Sequence, residues 1–218
     1  MKEKTGKIFS ISKDNPYING CTISKSIYNS NGYAINYFSL AKDTDISAET
    51  YEYYKFCIIA EGEIEAYSTN EKSLELSKND IMVLPIEEPV GMRTKTGCIY
   101  TEISLKKESN MNKILEAGKV IKLADLVPYQ EDKIVNMDLI NDSKLKFVVM
   151  SFDKGTGLTE HSAPGEALIF ALDGEAVIGY EGKEYTIKAG ENFKFAKNGK
   201  HFVNAKTNFK MALLLTIE

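Results

Sequence analysis

The chain has 218 residues, 43% of them hydrophobic, with only five prolines, which describes an ordered globular protein rather than a linker-rich or disordered one. No apolar run reaches the roughly 18 residues that a membrane-spanning helix needs, so no partner membrane is expected. Net charge is −4 with the 27 basic residues dispersed, which leaves no basic face for nucleic acid, and Arg93 as the sole arginine rules out a multi-arginine clamp on phosphate or carboxylate ligands.

In chain order, the opening stretch MKEKTGKIFSISKDN has no apolar core of signal-peptide length. Cys21, Cys57 and Cys98 are odd in number and show no CxxC spacing, as expected of free thiols in a reducing compartment. Both features lead to the expectation of a cytoplasmic protein. Cys57 sits in the apolar run Phe56–Ala60 and reads as a small buried hydrophobe. Tyr28, Tyr33, Tyr37, Tyr51, Tyr53 and Tyr54 concentrate in the first half, where they suit either core packing or a pocket for a planar or sugar-like ligand.

Between the halves, Met111–Ala117 predicts a short linking helix, capped by Ser109 or Asn110 and closed by Gly118. A helical turn is expected over Leu123–Leu126, ended by Pro128. The second half then reads as successive strands: Lys146–Phe152, Ala167–Leu172, Glu175–Tyr180, Lys183–Ile187, Asn192–Phe195, His201–Ala205 and Phe209–Ile217. Glycine-bearing turns separate them, and Asp173-Gly174 carries the signature of a tight hairpin. Many short strands at near-regular spacing predict an antiparallel sandwich or barrel.

The two halves repeat each other. Shifted by 112 positions, Ile35–Tyr67 falls on Phe147–Gly179, with Ser39 on Ser151, Lys42 on Lys154, Thr44 on Thr156, Gly62 on Gly174 and Glu63 on Glu175. A second block, Lys72–Thr94, falls on Lys183–Ala205 at a shift of 111. Two copies predict two domains of one fold, 1–108 and 109–218.

The run Gly157-x3-His161-x-Ala163-x3-Ala167-x6-Gly174, followed by Gly190-x5-Ala196-x-Asn198-x2-His201, resembles the two motifs of the cupin superfamily. The resemblance implies an all-β protein of two tandem antiparallel jelly-roll barrels, a bicupin. In metal-binding cupins two histidines and a glutamate of the first motif and a histidine of the second hold one divalent ion. This chain keeps His161 and His201, its only histidines, and has Ala163 and Ala167 at the other two positions. Ala196 and Asn198 replace the proline and glycine of the second motif, and Ala205 its asparagine, with Asn204 one residue early. His161, Ala163 and Pro164 also look like a subgroup of small uncharacterised cupins with H-x-A-P here. In the first copy Glu49, Tyr51, Lys55 and Val90 take the four ligand positions, so that degenerate barrel is expected to hold no metal.

The resulting expectation is a bicupin whose second barrel binds a small molecule at His161 and His201, near Ala163, Ala167, Phe193 and Phe195. One divalent metal, Zn, Fe, Ni or Mn, could sit on the two histidines, with Glu166 as a further ligand if a bulge at Pro164-Gly165 turned it inward. A metal-dependent oxygenase or isomerase is one alternative. A metal-free isomerase using a histidine as general base is another, with Tyr180 or Tyr185 as an acid partner. A non-catalytic sensor or scaffold is the third, and a homodimer is the expected form of association. For the first barrel, Lys55 paired with Glu49 stands against a reading in which both are solvated at the barrel mouth. Arg93 is expected to form a surface ion pair.

Overall fold

The structure is a computed structural model that describes residues 1–68 and 73–217. Lys72, which opens the second repeat block, lies outside the described residues. The chain forms two compact units. One comprises Ile11–Ser109 with Lys113–Leu123; the other comprises Ala124–Glu218 with Met1–Ser10 and Asn110–Asn112. We call them the first and second barrels.

The second barrel is built from two antiparallel sheets. Six strands run in the order Ile8–Phe9, Asn192–Phe195, Glu166–Asp173, Phe209–Thr216, Leu145–Phe152 and Ile134–Asn141. Four more run in the order Gly157–Ser162, Lys200–Ala205, Glu175–Tyr180 and Lys183–Lys188. Side chains of alternating residues meet between the sheets: Ile169, Ile178, Phe193, Phe195, Val203 and Phe209 are all at most 1% exposed. Each such phenylalanine contributes roughly 2–3 kcal/mol by leaving water.

In the first barrel, Tyr54–Ser68 is a single 15-residue strand that serves both layers. Its first half pairs with Asp80–Leu84 and Cys98–Leu105, and its second half with Ser73–Ser77 and Val90–Thr94. The equivalent stretch of the second barrel is divided at Gly174, between Glu166–Asp173 in one sheet and Glu175–Tyr180 in the other. Asp173-Gly174 is therefore a corner between sheets and not the hairpin expected from its sequence. Gly62 and Gly174 both have positive φ, at 77° and 72°. A Cβ on Gly62 would lie 2.0 Å from the Gly97 carbonyl oxygen, and one on Gly174 would lie 1.8 Å from that of Asn208.

Three register shifts repeat at the same spacing as the sequence. One falls between Ser26 and Tyr28 and again between Asp138 and Ile140. A second falls between Ile59 and Glu61 and again between Ala171 and Asp173. The third, between Ile46 and Glu49, recurs between Leu158 and His161. Each pair of positions differs by 112, so the copies share local irregularities as well as strands.

The expected linking helix at Met111–Ala117 does not form. Met111 bridges Ile140, and the Asn112 N–H donates to the Leu139 carbonyl at 2.8 Å. Seven residues make a marginal helix, and an open strand edge satisfies the same backbone groups. Leu123–Leu126 is a 3-10 helix, as the sequence suggested. The expected boundaries, 1–108 and 109–218, also shift. Ile8–Phe9 pairs with Phe193 and Asn192, which ties residues 1–10 to the second barrel. Ile121–Lys122 pairs with Ile81 and Asp80, which ties Lys113–Leu123 to the first.

Candidate functional site

Gly157–Ser162 pairs with Lys200–Ala205 so that His161 stands opposite His201. Leu158, three residues earlier, packs against the core. Strict alternation from it would turn Glu160 inward and His161 outward. The register shift between Leu158 and His161 adds one residue and reverses that parity. The bulge is thus what brings the two imidazoles together, with ring centroids 4.3 Å apart at 56°.

His161 is exposed at the barrel mouth, whereas His201 is 5% exposed and stacks on Phe195, centroids 4.1 Å apart and 18° from parallel. Each ring is oriented by a backbone carbonyl two residues before it. His161 Nδ1 lies 2.8 Å from Thr159 O, and His201 Nδ1 lies 2.8 Å from Gly199 O. A carbonyl oxygen only accepts, so each Nδ1 carries the proton and donates it. In the neutral rings both Nε2 atoms therefore keep their lone pairs. Burial lowers the pKa of His201 below the ordinary histidine value, and the neighbouring His161 pushes it the same way against the opposing Gly199 hydrogen bond.

Of the residues expected near the histidines, Ala167, Phe193 and Phe195 join the core cluster, together with Ile169, Ala171 and Val203. Ala167 lies opposite Phe195 in register, and Phe193 packs 5.1 Å from Phe195. These aromatic rings form a buried floor beneath His201. Ala163 is only half-buried, and its carbonyl accepts the Asn198 N–H at 2.8 Å. Tyr180 stands opposite His201 and packs 5.5 Å from Phe195, while Tyr185 packs 5.1 Å from Phe193. Of the two tyrosines, Tyr180 is the one whose strand position adjoins the pair.

Glu166 does not join the histidines. Its carboxylate pairs with Lys194 at 2.5 Å and with the Met1 amine. Lys194 alternates with the core residues Phe193 and Phe195, which sets its ion pair on the opposite face of that strand. Among the described residues no group of three or more His, Cys, Asp or Glu side chains could hold a metal ion. Two imidazole nitrogens fall short of the three or four protein ligands of a durable site, so these residues do not fit a resident metal.

The corresponding layer of the first barrel is charged. Glu49 stands opposite Val90, matching His161 and His201. Lys55, 9% exposed, pairs with Glu102 at 3.3 Å, and its Nζ lies 3.6 Å from the Tyr51 ring centroid. The Tyr51 hydroxyl donates to Glu49. Lys55 is thus neither solvated nor paired with Glu49. Burial works to lower its pKa, but Glu102 and Tyr51 outweigh it and leave the ammonium above its ordinary value. Burial raises the pKa of Glu102, against the pull of Lys55. Glu102 went unremarked in the sequence, although a shift of 111 places it on Leu213, where a charge breaks an apolar pattern. Elsewhere on this barrel Arg93 forms the expected surface pair, with two bonds to Glu65 at 2.7 and 2.8 Å. Cys57 and Cys98 are buried free thiols, whereas Cys21 is exposed.

These sheets and paired motif positions define an all-β cupin fold. Residues 148–217 match the cupin domain family. Over nearly the whole chain, the structure is similar to a cupin 2 conserved barrel domain protein from Leptotrichia buccalis, with 29% identity and a TM-score of 0.87, covering 99% of this chain and 98% of that one. It also resembles a salicylate 1,2-dioxygenase from Pseudaminobacter salicylatoxidans, at 11% identity and a TM-score of 0.64, over 88% of this chain and 76% of that one. An oxalate decarboxylase mutant from Bacillus subtilis is similar at 9% identity and a TM-score of 0.57, over 99% and 78%. The last two likenesses concern the fold alone. No curated protein matches the chain. The domain match and the structural likeness together support the cupin superfamily.

Proposed function

We propose that the chain is a bicupin whose second barrel binds a small molecule at His161 and His201. The observation that carries this reading is the pair of Nδ1–H···O=C contacts, which leaves Nε2 as the acceptor on each of two rings whose centroids lie 4.3 Å apart, above an aromatic floor. Such an arrangement suits a ligand that presents two hydroxyl or N–H donors over an apolar body. Phe195 holds the His201 ring flat, and the neighbouring His161 supplies the exposed half of the grip.

The same neutral His201 supports a second reading, an isomerase or epimerase. Its Nε2 would accept a proton from a bound ligand, and Tyr180, opposite it on the adjacent strand, would be the hydroxyl acid. An oxygenase receives no such support, because the donor set does not complete a metal centre. A Zn, Fe, Ni or Mn ion here would depend on water or the ligand for its remaining bonds.

The test is native mass spectrometry and elemental analysis of protein purified without chelator, beside His161→Ala and His201→Ala. The reading predicts a small-molecule adduct that disappears in either variant, with metal well below one equivalent. Near-stoichiometric metal lost in His161→Ala would replace it with a metal centre.

A further inference from the structure

Three Asn-Gly pairs occur in the chain: Asn19-Gly20, Asn31-Gly32 and Asn198-Gly199. Such a pair carries its own chemistry. The glycine nitrogen, which no Cβ shields, attacks the carbonyl carbon of the asparagine side chain. A new C–N bond closes a five-membered succinimide while the bond to the amide nitrogen breaks and ammonia leaves. Water then opens the ring at either carbonyl, giving aspartate or isoaspartate. The attack needs a backbone geometry that a hydrogen-bonded turn forbids, so its rate follows how readily each turn opens.

The three turns differ in what holds them. Gly199 is buried, its N–H donates to the Ala196 carbonyl at 3.1 Å, and the Asn198 N–H donates to the Ala163 carbonyl at 2.8 Å. Asn31 and Gly32 form the turn between Ser30 and Tyr33, which stand opposite each other in register. Their φ values of 56° and 80° suit the strand twist of a tight hairpin. The Lys106 side chain also lies against that turn, with Cε 2.7 Å from where a Cβ on Gly32 would stand. Asn19 and Gly20, by contrast, are exposed and belong to no strand. The Cys21 N–H closes their turn on the Ile18 carbonyl at 2.9 Å, Ile18 is 56% exposed, and a Cβ on Gly20 would meet nothing within 4 Å.

We propose that Asn19 is a site of spontaneous modification, converting to aspartate and isoaspartate, and that Asn198 is held intact by its turn. Each event at Asn19 adds a carboxylate to an exposed turn of the first barrel, and as isoaspartate it also adds a methylene to the main chain. The same event at Asn198 would displace Gly199, whose carbonyl orients the His201 ring at 2.8 Å. The locked turn thus keeps the histidine pair from a reaction that its own sequence invites.

The experiment is peptide mapping by mass spectrometry of the full chain aged in mildly alkaline buffer, folded and in urea, with electron-transfer fragmentation to tell isoaspartate from aspartate. In the folded protein Asn19 should convert at least about tenfold faster than either other asparagine, and Asn198 at least about tenfold slower than it does in urea. In urea the three rates should fall within about threefold of one another, because the shared dipeptide then sets them. The proposal is overturned by folded-state conversion led by Asn31 or Asn198, by a folded Asn198 rate that matches its rate in urea, or by the folded ranking persisting unchanged in urea.

Discussion

At His201, burial and the adjacent His161 ring both disfavour the imidazolium, so the folded pKa falls below the ordinary value of about 6.5. As pH falls, the unfolded chain takes up this proton first. The associated stability is therefore complete above about pH 6.5 and is lost as pH drops toward the folded pKa. Urea midpoints at pH 7.5 and 5.5 should show a larger acid loss in wild type than in His201→Gln; equal losses would contradict the burial argument. The Lys55–Glu102 pair makes a different prediction. Lys55→Met should cost about 3–5 kcal/mol by stranding a buried carboxylate, whereas Lys55→Met/Glu102→Leu should return to within about 1 kcal/mol of wild type. Chemical denaturation of the three proteins measures both. The histidine pair was legible in the sequence because motif spacing selects both positions. Glu102 was not, because its pairing with Lys55 is made across strands 47 residues apart. Glu166 was legible only as a carboxylate near the motif; its partners, Lys194 and Met1, come from distant parts of the chain.

Among the elements, the corner glycines carry the sharpest expectation. Gly174→Val should cost roughly 4 kcal/mol or more, because its Cβ would overlap a backbone carbonyl and its φ is positive. Gly62→Val should behave alike in the first barrel. Gly182 has a similar φ of 75° but open space around its Cβ, so Gly182→Ala should cost only about 1–2 kcal/mol. Thermal unfolding of the three variants distinguishes crowding from backbone strain. The seven strands expected in the second copy were readable from alternation and turn residues to within a residue or two, but Ile134–Asn141 was not among them. Gly157–Ser162 was not, although it carries His161, because its bulge breaks the period of two that marks a strand. Asp173-Gly174 looked like a hairpin because the dipeptide fixes a sharp bend without saying which strand lies beyond it.

Across the whole molecule, the 112-residue repeat reappears as two compact units with matching bulges, yet the two copies fill their central layers with opposite chemistry. One holds two imidazoles over phenylalanines; the other holds a buried ion pair under a tyrosine. The unit boundaries were the part least legible, since the repeat says nothing about residues outside it. Residues 1–10 lie on the second barrel through the Ile8–Phe9 strand and the Gly6 N–H to Lys194 carbonyl bond of 3.0 Å. Deleting them should lower stability by about 2–3 kcal/mol, the net worth of two or three hydrogen bonds, read from the denaturation midpoint.

Nitrogen-15 NMR of the imidazoles reads out whether His161 and His201 present two Nε2 acceptors at one site. The chain has only two histidines, so four ring nitrogens account for the whole spectrum. At pH 7.5 protonated Nδ1 and bare Nε2 are expected in both rings, with His201 titrating below the ordinary histidine range. A ring protonated at Nε2 with a bare Nδ1, in either residue, would contradict that arrangement.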